Sequence, residues 1–496
     1  MAPTRQLAEL ALVVDGEFED HGAPTGVVED VTHDSRQVGP GCLYVAISGA
    51  VFDGHEFVDA AVDSGATGVC VNRHVTQSVP EIVVDDTRRA LGPLAAAVHD
   101  HPSSEMGVIG ITGTNGKTTV AHYTYSIALS AGRKAGVIGT IHTMLGDETI
   151  AAVRTTPEAS DFQRILAEMR DKGAELVAVE VSSHGLDMGR VSATRFAVAA
   201  FTNLSQDHLD FHGDMESYLA AKKKLFSEYE VGTAVVNVDD PAGASIAAGY
   251  SGEILRVGAE GDVRVTEVST RRGRTSFRLD TPWGVASVES PIVGVFNVEN
   301  ASIAAACLLA SGLDLEEVVE GLGSLSPVPG RFEVVSGTDP ILVIVDYAHT
   351  PDGIVKMIRA AREMGRSRVI ALIGAGGDRD SDKRPLMGAA VSAADSAIIT
   401  SDNPRSEDPE SIARSVLAGV TLQTEVTYEL DRRRAIYKAL EIATDGDVVL
   451  ILGRGHEPFQ EIGEEMLPFD DRVVARDALR RRRKSANSQS GSGSMG

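Results

Sequence analysis

The chain has 496 residues, a formal net charge of −25 at pH 7, 43% apolar residues and 24% charged ones. That is the composition of an ordinary globular protein, long enough for about three domains. So acidic a chain excludes a broad basic surface and, with it, nucleic acid as a partner; no apolar run approaches the roughly 20 residues of a membrane span, so no membrane association is expected.

The opening MAPTRQLAEL lacks the charged-then-apolar form of a signal peptide. The three cysteines, Cys42, Cys70 and Cys307, are far apart in apolar contexts. They read as buried small hydrophobes, with neither a disulfide framework nor a zinc site among them. A reducing cytoplasm is the compartment that fits. A few local cations inside an acidic protein still suffice to bind a small anionic substrate.

In chain order, short strands at Leu43–Ile47 and Ile82–Val84 alternate with Ala-rich stretches and predict a small α/β domain over 1–103, closed by His101-Pro102-Ser103-Ser104. A strand at Met106–Thr112 then runs into a glycine-rich loop. Buried parallel strands are predicted at Leu176–Val181, Val198–Phe201 and Ala234–Val238, and a helix at Asn300–Leu309. A second break at Pro327-Val328-Pro329-Gly330 ends a domain over 104–329. The last region, 330–482, alternates apolar runs (Ile341–Val345, Val369–Ile373, Ala397–Thr400 and Val448–Leu452) with helical patterns at Gly353–Met364 and Pro385–Ala394. Such alternation implies right-handed βαβ units in a doubly wound sheet. The Arg-rich, then Ser/Gly-rich segment 483–496 reads as a disordered tail. The fold class is therefore α/β in three domains, with a central P-loop parallel-sheet ATPase domain and a C-terminal doubly wound, Rossmann-like domain.

The stretch GITGTNGKTT, Gly110–Thr119, lies between a strand and a helix, the context a phosphate loop requires. Small residues turn backbone N–H groups toward phosphate oxygens, and the helix N-terminus adds a positive dipole end. Lys117 is placed to reach the terminal phosphates of ATP, and Thr118 to give a hydroxyl to Mg²⁺. The strict pattern wants glycine where this chain has Ile111.

Two polar segments follow predicted strands: Glu180-Val181-Ser182-Ser183-His184 and Asn203-Leu204-Ser205-Gln206-Asp207-His208. Loops at the carboxyl ends of parallel strands share one edge with the phosphate loop, so Glu180 and His208 are candidate partners of the nucleotide's metal. The alternative, that His208 and His212 only cap the following helix, stands equally on the residues alone. In the helical pattern Tyr218–Phe226, Tyr218, Lys222 and Phe226 share a face, which singles out Lys222 among three consecutive lysines.

Every strand of the last region ends in a polar loop: Asp346–Pro351 (DYAHTP), Gly374–Asp380 (GAGGDRD), Asp402-Asn403-Pro404-Arg405, and Gly453–Glu457 (GRGHE). One such loop can be a plain turn; four in succession mark a crevice. Its mixture of Arg379, Asp402, Arg405 and Glu457 suits a zwitterion such as an amino acid.

Together these motifs resemble the Mur ligase family over nearly the whole chain. The marks are TGTNGKT, Thr155-Thr156-Pro157, EVSSHGL, DHLDFHG, YxxAK, FNVEN at Phe296–Asn300, GRFE at Gly330–Glu333 and DYAHTPDG, with GDRD, DNPR and GxGHE. The resemblance implies a monomeric, ADP-forming ligase of peptidoglycan biosynthesis, and through it of cell shape and division. It would join meso-2,6-diaminopimelate to the D-glutamate of UDP-N-acetylmuramoyl-L-alanyl-D-glutamate through an acyl phosphate. It implies ATP contacts at Gly113, Thr114, Asn115, Gly116, Lys117, Thr118, Thr119, Asn297, Asn300, Arg331 and Asp346. Ser35 and Arg36, beside Asp34, would meet the UDP-sugar, and Thr155, Thr156, Ser182 and Arg190 the muramoyl-peptide. Arg379, Asp402, Asn403, Pro404, Arg405, Gly453 and Glu457 would hold diaminopimelate. Lys222 would be carbamylated, completing a Mg²⁺ site with Thr118, Glu180 and His208; Lys117, Lys222, His208 and Glu180 are the expected catalytic set. Two departures are Met188, where the family often has Gln, and Arg454, where GKGHE is usual. An L-lysine-adding ligase, folylpolyglutamate synthase and a regulatory P-loop ATPase are the competing readings.

Overall fold

The structure is a computed structural model, which describes residues 5–22, 26–49, 52–75, 79–151, 154–271, 273–364, 368–421 and 424–492. Near the N-terminus, Cys42–Val45 and Gly68–Val71 are buried on both faces, as interior parallel strands are. They lie in a five-stranded sheet ordered Glu17–Glu19, Glu81–Val83, Gly68–Val71, Cys42–Val45, Asp30–Thr32, parallel except for its first pair. Asp86 caps the helix Thr87–Val98 by accepting from the N–H groups of Arg88 and Arg89. That helix shares one core with Leu43, Val45 and Ile82 through Leu91, Leu94 and Val98.

The middle of the chain builds an eight-stranded sheet ordered Glu148–Ala151, His142–Leu145, Ala135–Ile138, Leu176–Glu180, Gly107–Thr112, Arg195–Phe201, Glu230–Asn237, Glu253–Val257. Only its first two pairings are antiparallel. Side chains alternate across it. Ile109 and Ile111 pack with Val120 and Ile127 of helix Lys117–Ser130 and with Ala304 and Leu308 of helix Val295–Ala310. Val108, Val177 and Val179 face the opposite layer, with Phe162 of helix Ala159–Asp171 and Leu225 of helix Met215–Ser227. All four strands expected here form within a few residues of their predicted bounds. A three-stranded antiparallel sheet, Arg264–Arg271, Arg274–Thr281 and Gly284–Ser290, was not expected. Its signal is the alternation of buried Thr275, Phe277 and Leu279 with exposed neighbours.

The last sheet is ordered Glu333–Val334, Leu342–Asp346, Val448–Leu452, Val369–Ile373, Ser396–Ile399, Glu425–Tyr428, parallel beyond its first pair. Helices Pro351–Glu363, Lys383–Val391 and Pro409–Leu417 cover one face. Helices Arg432–Ile442 and Asp471–Ser492 cover the other, which makes the sheet doubly wound. One expectation is corrected: the final helix continues to Ser492, through most of the segment read as disordered, and 493–496 lie outside the described residues. The composition is polar, but Arg481 pairs with Asp477 one turn back, and Arg483 with Asp339 of the domain body, so the Arg-rich run has partners that favour helix. Among the described residues no helix is long and apolar enough to cross a membrane, and all three cysteines are free and buried.

The final helix is fixed at its start by an ion pair, Arg432–Asp471, with both side chains 0% exposed. Arg432 donates Nε to Asp471 Oδ1 at 2.8 Å and Nη2 to Oδ2 at 2.6 Å, and also meets the carbonyls of Leu452 and Ser401, where two site loops begin. Asp471→Ala would leave the guanidinium buried without its counter-charge. The expected outcome in urea unfolding is a loss of about 3–5 kcal/mol, largely recovered in Arg432→Met/Asp471→Leu. A loss below about 1 kcal/mol in the single variant would contradict the role given to the pair.

Candidate active site

The strand Gly107–Thr112 delivers its loop at the carboxyl edge of the central sheet. Gly113 (φ 144°) and Gly116 (φ 90°) lie in the left-handed half of the map, where a side chain is strained. A Cβ on Gly113 would fall 1.9 Å from Thr202 Oγ1, and one on Gly116 2.4 Å from Asn300 Oδ1. Helix Lys117–Ser130 starts from this loop with its N-terminus toward the cleft.

Two lysines meet on one carbonyl. Lys117 Nζ donates to Gly113 O at 2.9 Å and Thr114 O at 2.8 Å; Lys222 Nζ donates to the same Gly113 O at 2.8 Å. Lys222 is buried, with its Nζ 4.2 Å from the centroid of the Tyr218 ring. Burial pushes both amines down, and the Lys117 charge pushes Lys222 further, well below its ordinary value. Tyr218 Oη lies 3.2 Å from Thr114 Oγ1, so the helix Met215–Ser227 braces the loop.

Glu180, wholly buried at the end of its strand, accepts from Thr118 Oγ1 (2.8 Å), Thr140 N (2.8 Å) and Thr140 Oγ1 (3.1 Å). Arg331 Nη2 donates to Thr118 Oγ1 at 2.9 Å and its guanidinium stacks 4.5 Å over Tyr347. His208 lines the same cleft. It stands at the N-cap position of the short helix Leu209–His212 with φ 55°, but its side chain makes no cap bond. Burial pushes its imidazole down to about 3, so the ring is neutral and can act as a ligand. The cleft holds about 1140 Å³ of open space and is also lined by Asn297, Asn300 and Asp346. Asp346 accepts 2.6 Å bonds from the N–H groups of Phe332 and Ala348, and burial pushes its carboxyl up.

A second cleft opens on the loop edge of the last sheet, lined by Arg379, Asp402, Asn403, Arg405, Gly453 and Glu457. Asn403 Nδ2 donates to Glu457 Oε2 at 2.8 Å, and the Arg454 guanidinium, 0% exposed, holds Asn403 Oδ1. Burial and the nearby Asp402 push Glu457 up. Arg405, at φ 52°, does not point away into solvent: Nε donates to Glu461 at 2.9 Å and Nη1 to Gly377 O at 2.7 Å.

The two clefts share a wall of Asp207, His208, Tyr347 and His349. Asp207, from the central sheet, takes Lys383 Nζ at 3.0 Å and His349 Nε2 at 3.3 Å, both from the last domain. Burial raises its carboxyl, but the bond from His349 and the charges of His349, Lys383 and His208 outweigh this and hold it well below 3.8. Sequence reasoning missed Asp207 as an anchor, and missed Lys383 and Thr140. The signal for Lys383 was its place three residues past GDRD.

The remaining expected residues are partly dispersed. Thr155 and Ser182 line the nucleotide cleft. Thr156 is fully buried, its hydroxyl bonded to Glu180 O at 2.8 Å and to Ser182 Oγ at 3.1 Å, so it positions Ser182. Arg190 meets Glu158 at 2.9 Å and Met188 Sδ at 3.2 Å. Arg88 and Arg154 also converge on Glu158, three guanidiniums on one carboxylate. Ser35 and Arg36 line neither cleft; Arg36 is exposed and paired with Asp34 at 2.7 Å.

Three family descriptions match: "Mur ligase family, catalytic domain" over 27–99, "Mur ligase middle domain" over 111–308, and "Mur ligase, glutamate ligase domain" over 330–455. A protein of Geobacillus thermodenitrificans named UDP-N-acetylmuramoyl-L-alanyl-D-glutamate--2,6-diaminopimelate ligase is 46% identical, covering 91% of this chain and 94% of its own. A solved structure of a ligase of the same name aligns with TM-score 0.68 and 31% identity over 97% of this chain and all of that one. A Mycobacterium tuberculosis folylpolyglutamate synthase complexed with ADP and AMPPCP shares the fold, at TM-score 0.60 and 20% identity, over 80% of this chain and 94% of its own. The chain belongs to the Mur ligase family.

The Asp207 carboxylate yields a signed pH dependence. Its folded value lies below its unfolded one, so its contribution is whole above 3.8 and is lost as pH falls through the folded value. The stability advantage of wild type over Asp207→Asn at pH 7 should therefore shrink as pH falls below 3.8, measured by chemical denaturation. An advantage unchanged down to the acid-unfolding point would contradict this.

Proposed function

We propose that this chain is an ATP-dependent, ADP-forming ligase that joins meso-2,6-diaminopimelate to the D-glutamate γ-carboxylate of UDP-N-acetylmuramoyl-L-alanyl-D-glutamate. The observation that carries the reading is the wall shared by a phosphate-loop cleft and a mixed-charge cleft, which suits transfer of one activated carbonyl between them. The activity named for the Geobacillus relative agrees with it.

The γ-carboxylate oxygen attacks the γ-phosphorus of ATP, forming a mixed anhydride and releasing ADP. The amine of the amino acid then adds to the acyl carbon, and the tetrahedral adduct expels phosphate as the amide forms and the amine proton is lost. Positioning and electrostatics dominate such phosphoryl transfer. Lys117, released from its loop carbonyls, neutralises the transferring group; Arg331, Asn297, Asn300 and Asp346 hold the nucleotide. Thr118 Oγ1 and buried Glu180 are hard oxygen donors 2.8 Å apart, beside neutral His208, a set that fits Mg²⁺; when bound, the ion supplies charge neutralisation and a template for the phosphates. Ser35 and Arg36 belong to the UDP-sugar end, and Thr155, Ser182 and Arg190 to the muramoyl-peptide, with Thr156 buttressing Ser182. The domains run 1–103, 104–329 and 330–482, and the enzyme works as a monomer in the cytoplasm.

Lys222 is proposed to work as a carbamate. Two amines on the single Gly113 carbonyl repel one another in a buried site. A neutral Lys222 amine adds CO₂ and loses a proton, which turns it into an anionic carbamate beside the Lys117 cation, a further oxygen donor that would suit Mg²⁺. Lys222→Ala should lose at least ~100-fold in kcat, about 2.7 kcal/mol, with partial recovery in millimolar short carboxylic acids. Full activity of the variant would refute the carbamate.

The amino-acid cleft favours diaminopimelate over L-lysine. The two differ at the far end, where diaminopimelate carries an added carboxylate; Arg405, oriented by Glu461 and Gly377 O, offers a guanidinium to it. Glu457 and the backbone at Gly453 take the distal ammonium, with Asp402, Asn403 and Pro404 shaping the turn and Arg379 at its rim. Lysine offers that guanidinium no carboxylate. In competition assays wild type should strongly prefer diaminopimelate, and Arg405→Ala should lose about 2–5 kcal/mol of the preference. Equal use of lysine by wild type would overturn the substrate while sparing the ligase reading.

A further inference from the structure

We propose that the first domain carries a zinc site, away from both clefts, formed by Glu19, His21 and His74, with Glu81 beside it. Glu19 closes the edge strand Glu17–Glu19 and Glu81 opens its neighbour Glu81–Val83. The register places these two glutamates directly opposite one another. Like charges facing across a strand pair are destabilising, and here one of them is buried, the Glu81 side chain being 0% exposed. Glu81 is held by His74 Nδ1 at 2.9 Å, and the Glu19 carboxylate opposite it is the one placed to meet a cation.

Two imidazoles reach the same place. His21, in the turn after the edge strand with φ 49°, puts Nε2 3.7 Å from Glu19 Oε2 and 3.5 Å from Glu81 Oε2. His74, beyond the strand Gly68–Val71, puts Nδ1 3.7 Å and 2.9 Å from those same two oxygens. The ligand atoms of Glu19, His21 and His74 all lie within 4.8 Å of one another; Glu81 lies beside them, its Oε2 accepting a 2.9 Å hydrogen bond from His74 Nδ1. Zinc bonds of about 2.0–2.1 Å set ligand atoms roughly 3.3 Å apart, close to the 3.7 Å that separates Glu19 Oε2 from each imidazole nitrogen. Glu81 Oε1 accepts the Val75 N–H at 3.1 Å, which orients the side chain. His21 Nε2 is buried and has no hydrogen-bond partner although it faces two carboxylates, as a nitrogen set to ligate a metal does.

The donor types select the ion. Two imidazoles with a carboxylate suit zinc rather than Mg²⁺ or Ca²⁺, which take oxygen ligands. Two carboxylate charges balance the ion. The site lies away from both clefts, so its role is structural: it pins the edge strand and the turn after it to the sheet.

The test uses the full chain, stripped with a chelator and titrated with Zn²⁺ alone by calorimetry, in wild type, His74→Ala and Glu19→Gln. The catalytic cleft can also take zinc, so the difference between proteins is the readout. Wild type should bind one more equivalent than either variant, and zinc should raise the Tm of wild type alone. Co²⁺ should give the intense visible absorption of four-coordinate cobalt in wild type and lose it in His74→Ala. His74 is half-exposed, so that variant should fold and ligate at the wild-type rate in Mg²⁺. Equal zinc stoichiometry and equal cobalt spectra in wild type and His74→Ala would overturn the proposal, leaving the cluster as imidazoles paired with carboxylates.

Discussion

The carboxylate of Asp207 joins the two halves of the catalytic centre. It lies in the loop after the strand Arg195–Phe201, one residue before His208, and takes Lys383 and His349 from the last domain. The phosphate-loop edge and the four-loop edge therefore face each other across one wall, instead of opening on separate sides of the molecule. A buried ion pair of this kind is weak as a source of net stability, because desolvation offsets most of the attraction. Its value is orientation: once the charges are buried, other relative placements of the domains leave one of them unpaired. Both clefts are framed by parallel sheets, and parallel sheets put every functional loop on one edge. Asp207 makes the two edges meet.

The second constraint is the crowding at Gly113. No side chain fits there, and its carbonyl carries two buried lysines. That is an uncomfortable arrangement for a static structure and a useful one for a catalyst. When a nucleotide offers phosphate oxygens, Lys117 has a better partner than its own loop, and Lys222, biased toward the neutral amine, is the group proposed to carry the carbamate. Glu180, held by three donors, stays fixed while the lysines exchange partners.

The strand–loop–helix pattern of the phosphate site was legible because its chemistry is local: glycines at strained φ, a lysine and a threonine in fixed spacing. The doubly wound last domain was legible for a related reason, since buried parallel strands read as continuous apolar runs. The hairpin at the edge of the central sheet and the antiparallel sheet Arg264–Ser290 escaped, because half-exposed strands mix polar residues into short alternations. The final helix escaped because its support is long-range, Arg432–Asp471 and Arg483–Asp339. The same holds for the site. Lys117 and Thr118 can be named from spacing, but Asp207 and Lys383 are 176 positions apart in the chain, and no local pattern links them. Thr156 shows the opposite error, a residue correctly placed near the site whose hydroxyl is committed to holding Ser182.

The central claim is that a carboxylate activated in one cleft is passed to an amine in the other. Substrate labelled with ¹⁸O in the D-glutamate γ-carboxylate tests this directly, by mass spectrometry of the phosphate released during ligation with meso-diaminopimelate. The account predicts one ¹⁸O atom in each phosphate formed, with turnover dependent on both substrates. Unlabelled phosphate accompanying amide formation, or steady ATP hydrolysis without the amino acid and the muramoyl-dipeptide, would contradict it.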